Sequence, residues 1–144
     1  MTHIRTQIRH GLVGLLTDET AAGVNVHAAR PRPNPEGDLP VIFVSAISER
    51  SERVTDNSEL TRYPAIRVTG FVSANVDTAD DVADALALQI EIAVAADPTV
   101  NGLAFDTELI ETELEFESGE QDMAAIELTY RFEATEISLL AMTA

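Results

Sequence analysis

Glutamate occupies every second position from residue 111 to residue 117 in the stretch LIETELEFES, which runs from Leu109 to Ser118. Successive side chains of an extended strand point to opposite faces, so the four glutamates would share one face and the residues between them the other. The stretch therefore predicts a β-strand that buries an apolar face and exposes a row of carboxylates. This glutamate row consists of Glu111, Glu113, Glu115 and Glu117.

A second alternating stretch, MAAIELTYRFEA at residues 123–134, follows the turn-forming residues SGEQD. Together the two stretches predict a β-hairpin in the last third of the chain. Matching their apolar faces places Glu127, Arg131 and Glu133 on the face of the glutamate row, whether the loop has three or five residues. That face would be strongly acidic, with Arg131 as its only counter-charge.

Apolar residues at helical spacing predict two amphipathic helices. The first covers residues 2–17 and carries Arg5 and Arg9 one turn apart on its flank. The second covers residues 78–96 and starts with a capping box at Thr78.

Two further strands are predicted between the helices. VIFVSAI at 41–47 is a continuous β-prone run, typical of a strand covered on both faces in the centre of a sheet, and RYPAIRVTGFVS at 62–73 is a second strand. These strands predict a hairpin whose long, mobile tip is the polar segment 48–60. Before them, VNVHAA at 24–29 is a short strand candidate, and four prolines favour an extended connector at 30–40.

These elements predict one α/β domain of the α+β type that covers residues 1–144. Its sheet would be mainly antiparallel or mixed, with four to five strands and two main helices. The apolar C-terminal segment ISLLAMTA, at 137–144, could close the core or dock on a neighbouring molecule.

Charge and composition exclude several classes of function. The chain has 25 acidic and 9 basic residues, a formal net charge of −16 and a pI near 4.3, which disfavours sequence-independent binding to nucleic acid. All nine basic residues are arginine, so Schiff-base and P-loop lysines are excluded. No cysteine is present, and the N-terminal MTHIRTQIRHGL matches neither a signal peptide nor a membrane span. A soluble, cytoplasmic protein is expected.

No residue pattern predicts a catalytic, cofactor or metal site. The three histidines lack zinc-binding spacing, the glycines Gly11 and Gly14 do not form a phosphate loop, and the aspartates at 77–84 suit the first turn of a helix. Alternate glutamates on a strand lie ~7 Å apart, which is compatible with an inverting glycosidase. However, the chain has no tryptophan and two tyrosines to line a sugar site, so a solvated sheet face is favoured and a carboxylate-based hydrolase is the alternative.

The order of the predicted elements resembles that of the tail terminator proteins of long-tailed bacteriophages, the minor tail protein U type, which also occur in prophages and gene transfer agents. The resemblance covers nearly the whole chain and is carried by HIRTQIRHGLVGLL, LPVIFV and ELTYRFEA. It implies a non-enzymatic structural protein without cofactors. Such a protein caps the completed tail tube as a homohexameric ring, ends tube polymerisation and offers a joining surface to the head-side connector.

The resemblance also assigns roles to two sets of charged residues. It implies that one set lines the bore of the ring, through which DNA would pass without specific binding. These bore residues are Glu111, Glu113, Glu115, Glu117, Glu127 and Glu133. Contacts between subunits or with the tail tube would use Arg5, Arg9, Arg30, Arg32, Arg50 and Arg53. The protein would be found in the host cytoplasm during assembly and then in the virion tail. Sequence leaves open which sheet face turns inward, and a head-tail joining or neck protein is an alternative.

Overall fold

The computed structural model describes residues 2–32, 39–53, 59–118 and 122–137, with the backbone alone at 59, 136 and 137. Within these residues, two helices and five strands follow one another along the chain. The predicted connector residues 33–38, the hairpin-tip residues 54–58 and most of the apolar C-terminal segment lie outside the described residues. The elements are α1 (Ile4–Leu16), β1 (Val26–His27), β2 (Val41–Arg53), β3 (Glu59–Ser73), α2 (Ala79–Ala96), β4 (Asp106–Glu117) and β5 (Met123–Ile137).

The five strands form one mixed sheet in the order β1-β2-β3-β5-β4. β1 runs parallel to β2, and all other neighbours are antiparallel. This arrangement confirms the predicted α+β class, the strand number and the two helices. It also makes β3 the central strand and leaves β1 and β4 at the two edges of the sheet.

Both helices pack on the same face of the sheet, here called the helix face. α1 buries an apolar stripe that includes Ile8 and Leu12, and α2 buries one that includes Leu86 and Ile90. These stripes join the inward-facing residues of β2, β3 and β5 in one core. The opposite face of the sheet, here called the far face, carries a smaller apolar cluster around Phe43.

The capping box predicted at Thr78 is wrong. The side-chain oxygen of Asn75 accepts hydrogen bonds from the backbone N–H groups of Asp77 and Thr78, both at 3.0 Å, and from the Thr78 hydroxyl at 3.1 Å. Thr78 has helical backbone angles and makes no capping hydrogen bond with its side chain, because Asn75 already holds the turn before the helix.

The hairpin of β2 and β3 also differs from the prediction. The sequence predicts a mobile hairpin tip at 48–60, but the described ends of this segment continue the two strands, which pair from Ser48 opposite Ala65 to Arg53 opposite Leu60. The alternating serine, glutamate and arginine residues form a solvated strand extension. Polarity alone therefore indicated exposure and not the absence of a strand.

Candidate functional site: an acidic edge and a basic corner

The register of the last hairpin confirms the prediction that the glutamate row and Glu127 lie on the same face of the sheet. Glu113 lies opposite Glu127 and Glu115 opposite Ala125, so these side chains share the far face of the sheet. The last paired residues are Glu117 and Met123, which matches the longer of the two predicted loops.

A β-bulge at Ile110 extends the acidic surface beyond the prediction. Leu109 pairs with Tyr130 and Glu111 with the adjacent Thr129, which leaves Ile110 as the extra residue. The bulge shifts the alternation by one residue, so acidic residues with even numbers join those with odd numbers on the far face. The resulting acidic face consists of Asp106, Glu108, Glu111, Glu113, Glu115, Glu117, Glu127 and Glu133.

Two arginines contact the acidic face within the same chain. Arg131 donates to Glu108 at 2.6 Å between exposed side chains, and Arg67 on β3 lies 4.0 Å from a Glu127 carboxylate oxygen. Burial raises the pKa of Glu127, Arg67 opposes the increase, and the charges of Glu115 and Glu113 add to it. The carboxylates thus repel one another within the folded protein.

Substituting Glu113→Gln together with Glu115→Gln should raise the free energy of unfolding at neutral pH and low salt by about 0.5 kcal/mol, because like charges beside Glu127 are removed. Urea denaturation followed by circular dichroism measures the change. Repulsion between exposed charges is screened by ions, so the gain should shrink as salt is added. Equal stability of variant and wild type at low salt would contradict the repulsion.

β4 is exposed on both of its faces. The prediction that the row's reverse side is buried is wrong, because α2 packs over β3 and β5 and barely reaches the edge strand. Ile110, Leu114 and Phe116 retain 48%, 45% and 36% of their accessible surface. Every residue from Ile110 to Glu117 is exposed, and no described strand pairs with the outer edge of β4.

A basic corner lies at the other edge of the sheet. The start of α1, the segment after β1 and the middle of β2 surround an open cavity of about 330 Å³. Arg9 and Arg30 line this cavity, and among the described residues the Arg9 side chain donates only to the hydroxyl of Thr6, at 3.2 Å. The guanidinium of Arg32 lies 5.9 Å from the ring centroid of Phe43, on the far face. The basic corner is defined by Arg9, Arg30 and Arg32.

Arg5 lines the same cavity but is engaged inside the subunit. Its guanidinium donates to Glu49 at 2.8 Å, and the second oxygen of Glu49 accepts from Arg62 at 2.7 Å. Burial would raise the pKa of Glu49, but hydrogen bonds from Ser51, Arg5 and Arg62 hold it below its ordinary value. The resulting network ties α1 to β2 and β3 within the subunit.

The remaining predicted contact residues, Arg50 and Arg53, lie on the exposed outer part of β2. Arg50 pairs with Glu52 and lies 5.7 Å from the ring centroid of Tyr63. The structure therefore divides the six predicted arginines between the basic corner, the internal network and the β2–β3 hairpin.

The three histidines occupy separate positions. His3 caps α1 by accepting the N–H of Arg5 at 3.1 Å, and a ring nitrogen of His27 lies 2.7 Å from the side-chain oxygen of Asn25. Among the described residues, no group of three or more histidines and carboxylates is placed to hold a metal ion. Within the same residues, no helix is both long and apolar enough to cross a membrane.

Comparisons with known proteins give a likeness to solved structures and no match in sequence. No protein-family model matches the chain, and no curated protein matches it. Among solved structures, a chain from the virion of a native gene transfer agent particle aligns with 92% of this chain and 92% of its own length, at 16% identity and a TM-score of 0.42. A TM-score at this level does not establish a common fold.

Proposed function

We propose that this protein is a non-enzymatic structural component of a long-tailed phage or phage-derived particle, of the tail terminator type. It assembles as a homohexameric ring on the completed tail tube, ends tube polymerisation and presents the head-side joining surface. It acts in the host cytoplasm during assembly and remains in the virion tail. The observation that carries the proposal is the acidic face, a surface of eight carboxylates on the edge strand β4 and its neighbour β5.

The acidic face suits the wall of a channel for DNA. Eight carboxylates on two neighbouring strands repel phosphate groups, so DNA that passes along them forms no lasting contacts and slides freely. Repulsion among the same carboxylates costs folding stability, which indicates that a function beyond stability maintains them. The pattern of elements that resembles tail terminators supports the same assignment, with the tail tube protein and the head-tail connector as partners.

One observation favours the alternative of a carboxylate-based hydrolase, namely the raised pKa of Glu127, which lies opposite Glu113. A general acid needs an apolar enclosure that keeps it protonated beside an ionised partner. Here the neighbouring glutamates are exposed on an edge strand, and Arg67 favours the ionised form of Glu127. The geometry therefore supports a solvated channel wall better than catalysis. A neck protein, the other alternative, would bind the connector and leave tube length unchanged.

Tube capping tests the proposed function directly. Added to polymerising tail tube protein, the wild type should shorten the tubes and appear as a ring at one tube end in electron micrographs. The exchange Arg50→Glu with Arg53→Glu should reduce capping at least about tenfold, because it reverses charges on the exposed β2–β3 hairpin that we assign to tube contact.

A matched control is Asp84→Arg with Glu91→Arg, which reverses two exposed charges on α2 and should leave capping unchanged. Unaltered tube length with the wild type would overturn the terminator function. Normal capping by the hairpin variant would remove only the assignment of Arg50 and Arg53.

A further inference from the structure

Charge is segregated to opposite edges of the sheet. The acidic face lies on β4 and its neighbour β5, whereas the basic corner lies beside β1. Four strand spacings separate β1 from β4, which amounts to about 19 Å, so the two surfaces cannot pair within one molecule. Within the described part of the chain, Arg9, Arg30 and Arg32 form no ion pair with a carboxylate.

The outer edge of β4 is suited to a partner other than β4 itself. Two copies of β4 paired edge to edge would place one glutamate row beside another, and adjacent like charges are destabilising. A twofold dimer through this edge is therefore disfavoured. A partner that covers the edge must instead supply positive charge.

The basic corner supplies positive charge on both sides of the opposite edge. Arg9 and Arg30 line the cavity beside α1, and Arg32 lies over Phe43 on the far face, the face to which the glutamate row also belongs. Arginine suits this role because its guanidinium binds carboxylates with two parallel hydrogen bonds.

We infer that the basic corner of one copy binds the glutamate row on β4 of the next copy in a head-to-tail contact. This inference rests on the proposed function for its biological setting, where it provides the contact between ring subunits. A contact between two different surfaces can repeat from copy to copy. The copies close into a ring when the rotation between neighbours divides a full turn into equal steps. Eight carboxylates of one acidic face would then meet Arg67 and Arg131 of the same copy and the three corner arginines of the next, which leaves three negative charges toward the DNA.

Two complementary variants test the contact. The corner variant carries Arg9→Gln, Arg30→Gln and Arg32→Gln, and the row variant carries Glu113→Arg and Glu115→Arg. Each keeps one partner surface and loses the other, and all five side chains lie outside the core. Molar mass is measured by light scattering and sedimentation velocity over a range of protein and salt concentrations, since the net charge of each copy opposes association at low salt.

The wild type should associate beyond a dimer, and each variant alone should associate at least about tenfold more weakly. An equimolar mixture of the variants should form dimers that contain one copy of each variant, and no larger species. The reason is that only the corner of the row variant and the row of the corner variant can still bind each other. A twofold contact through either surface cannot give this result. The control variant Asp84→Arg with Glu91→Arg should associate as the wild type does.

A wild type that stays monomeric under every condition would overturn the head-to-tail contact, as would wild-type association by either variant or a mixture without dimers. Different results would overturn the terminator function and the head-to-tail contact. A monomeric wild type that still caps tail tubes would retain the terminator function without this contact. Dimers in the mixture, combined with unaltered tube length, would retain the contact and overturn the terminator function.

Discussion

Valine in place of Gly70 should lower the free energy of unfolding by about 3 kcal/mol. Gly70 lies on the helix face of β3, directly beneath α2. A Cβ atom at this position would be 2.6 Å from a terminal methyl carbon of Leu86 and 3.3 Å from a methyl carbon of Ile126. The flexible end of Leu86 can move away from a single methyl group, but the branched side chain of valine would also displace α2 or β5.

Urea denaturation of Gly70→Val measures this loss, and Gly14→Ala is the matched control. Gly14 lies inside α1, where a Cβ would have no described atom within 4 Å beyond its chain neighbours and the backbone of its own helix, so alanine there should stabilise the protein by about 0.5 to 1 kcal/mol through helix propensity. A Gly70→Val variant within about 1 kcal/mol of wild type would contradict the close packing of α2 on the sheet.

Alanine in place of Glu49 should lower the free energy of unfolding by about 2 kcal/mol at neutral pH. The carboxylate of Glu49 accepts hydrogen bonds from Arg5, Arg62 and Ser51, at distances of 2.7 to 2.8 Å. Its side chain is 11% exposed, as is that of Arg62, so this ion pair is largely shielded from water, whereas the Arg5 side chain is 36% exposed. The substitution removes the link between α1 and the β2–β3 hairpin.

The loss at Glu49 should depend on pH. Because the pKa of Glu49 is lower in the folded protein than its ordinary value of 4.5, the carboxylate stabilises the fold above pH 4.5. This contribution disappears as the pH falls through the lower, folded value. The stability difference between wild type and Glu49→Ala should therefore be complete at neutral pH and diminish in acid.

Denaturation curves of the two proteins at neutral and acidic pH measure this dependence. Glu52→Ala is the control, since Glu52 pairs with Arg50 between exposed side chains and should change stability by no more than about 0.5 kcal/mol. An equal loss from Glu49→Ala at all pH values would show that packing, and not the charge of Glu49, is responsible.

Local periodicity was sufficient to predict most of the fold. The apolar spacing of α1 and the alternation of β5 each depend on residues close in sequence, and both elements were found within a few residues of their predicted ends. The parity of the last hairpin was predictable for the same reason, since both of its strands have one apolar face. In the candidate site, this parity correctly placed Glu127, Arg131 and Glu133 beside the glutamate row.

Features that depend on distant residues could not be predicted in the same way. Leu114 is exposed because α2 packs over other strands. The alternating sequence of β4 gives no information about where α2 packs. Gly11 allows α1 to approach Val100, where a Cβ would be 2.6 Å from a methyl carbon, and nothing near Gly11 in the sequence indicates this contact. The one local signal that was missed is the adjacent apolar pair of Leu109 and Ile110, which marks the β-bulge.

The open outer edge of β4 sets a limit on how far the protein can be stabilised. No described strand pairs with the outer edge of this twelve-residue strand, and an open edge with apolar side chains on one face is a template for sheet growth and aggregation. Carboxylates along the same strand act as gatekeepers against that growth, although they weaken the individual fold. Neutralising these carboxylates would raise the stability of the monomer but lower its solubility in a crowded cell. The edge must therefore retain enough negative charge to prevent aggregation, although this charge limits the stability of the fold.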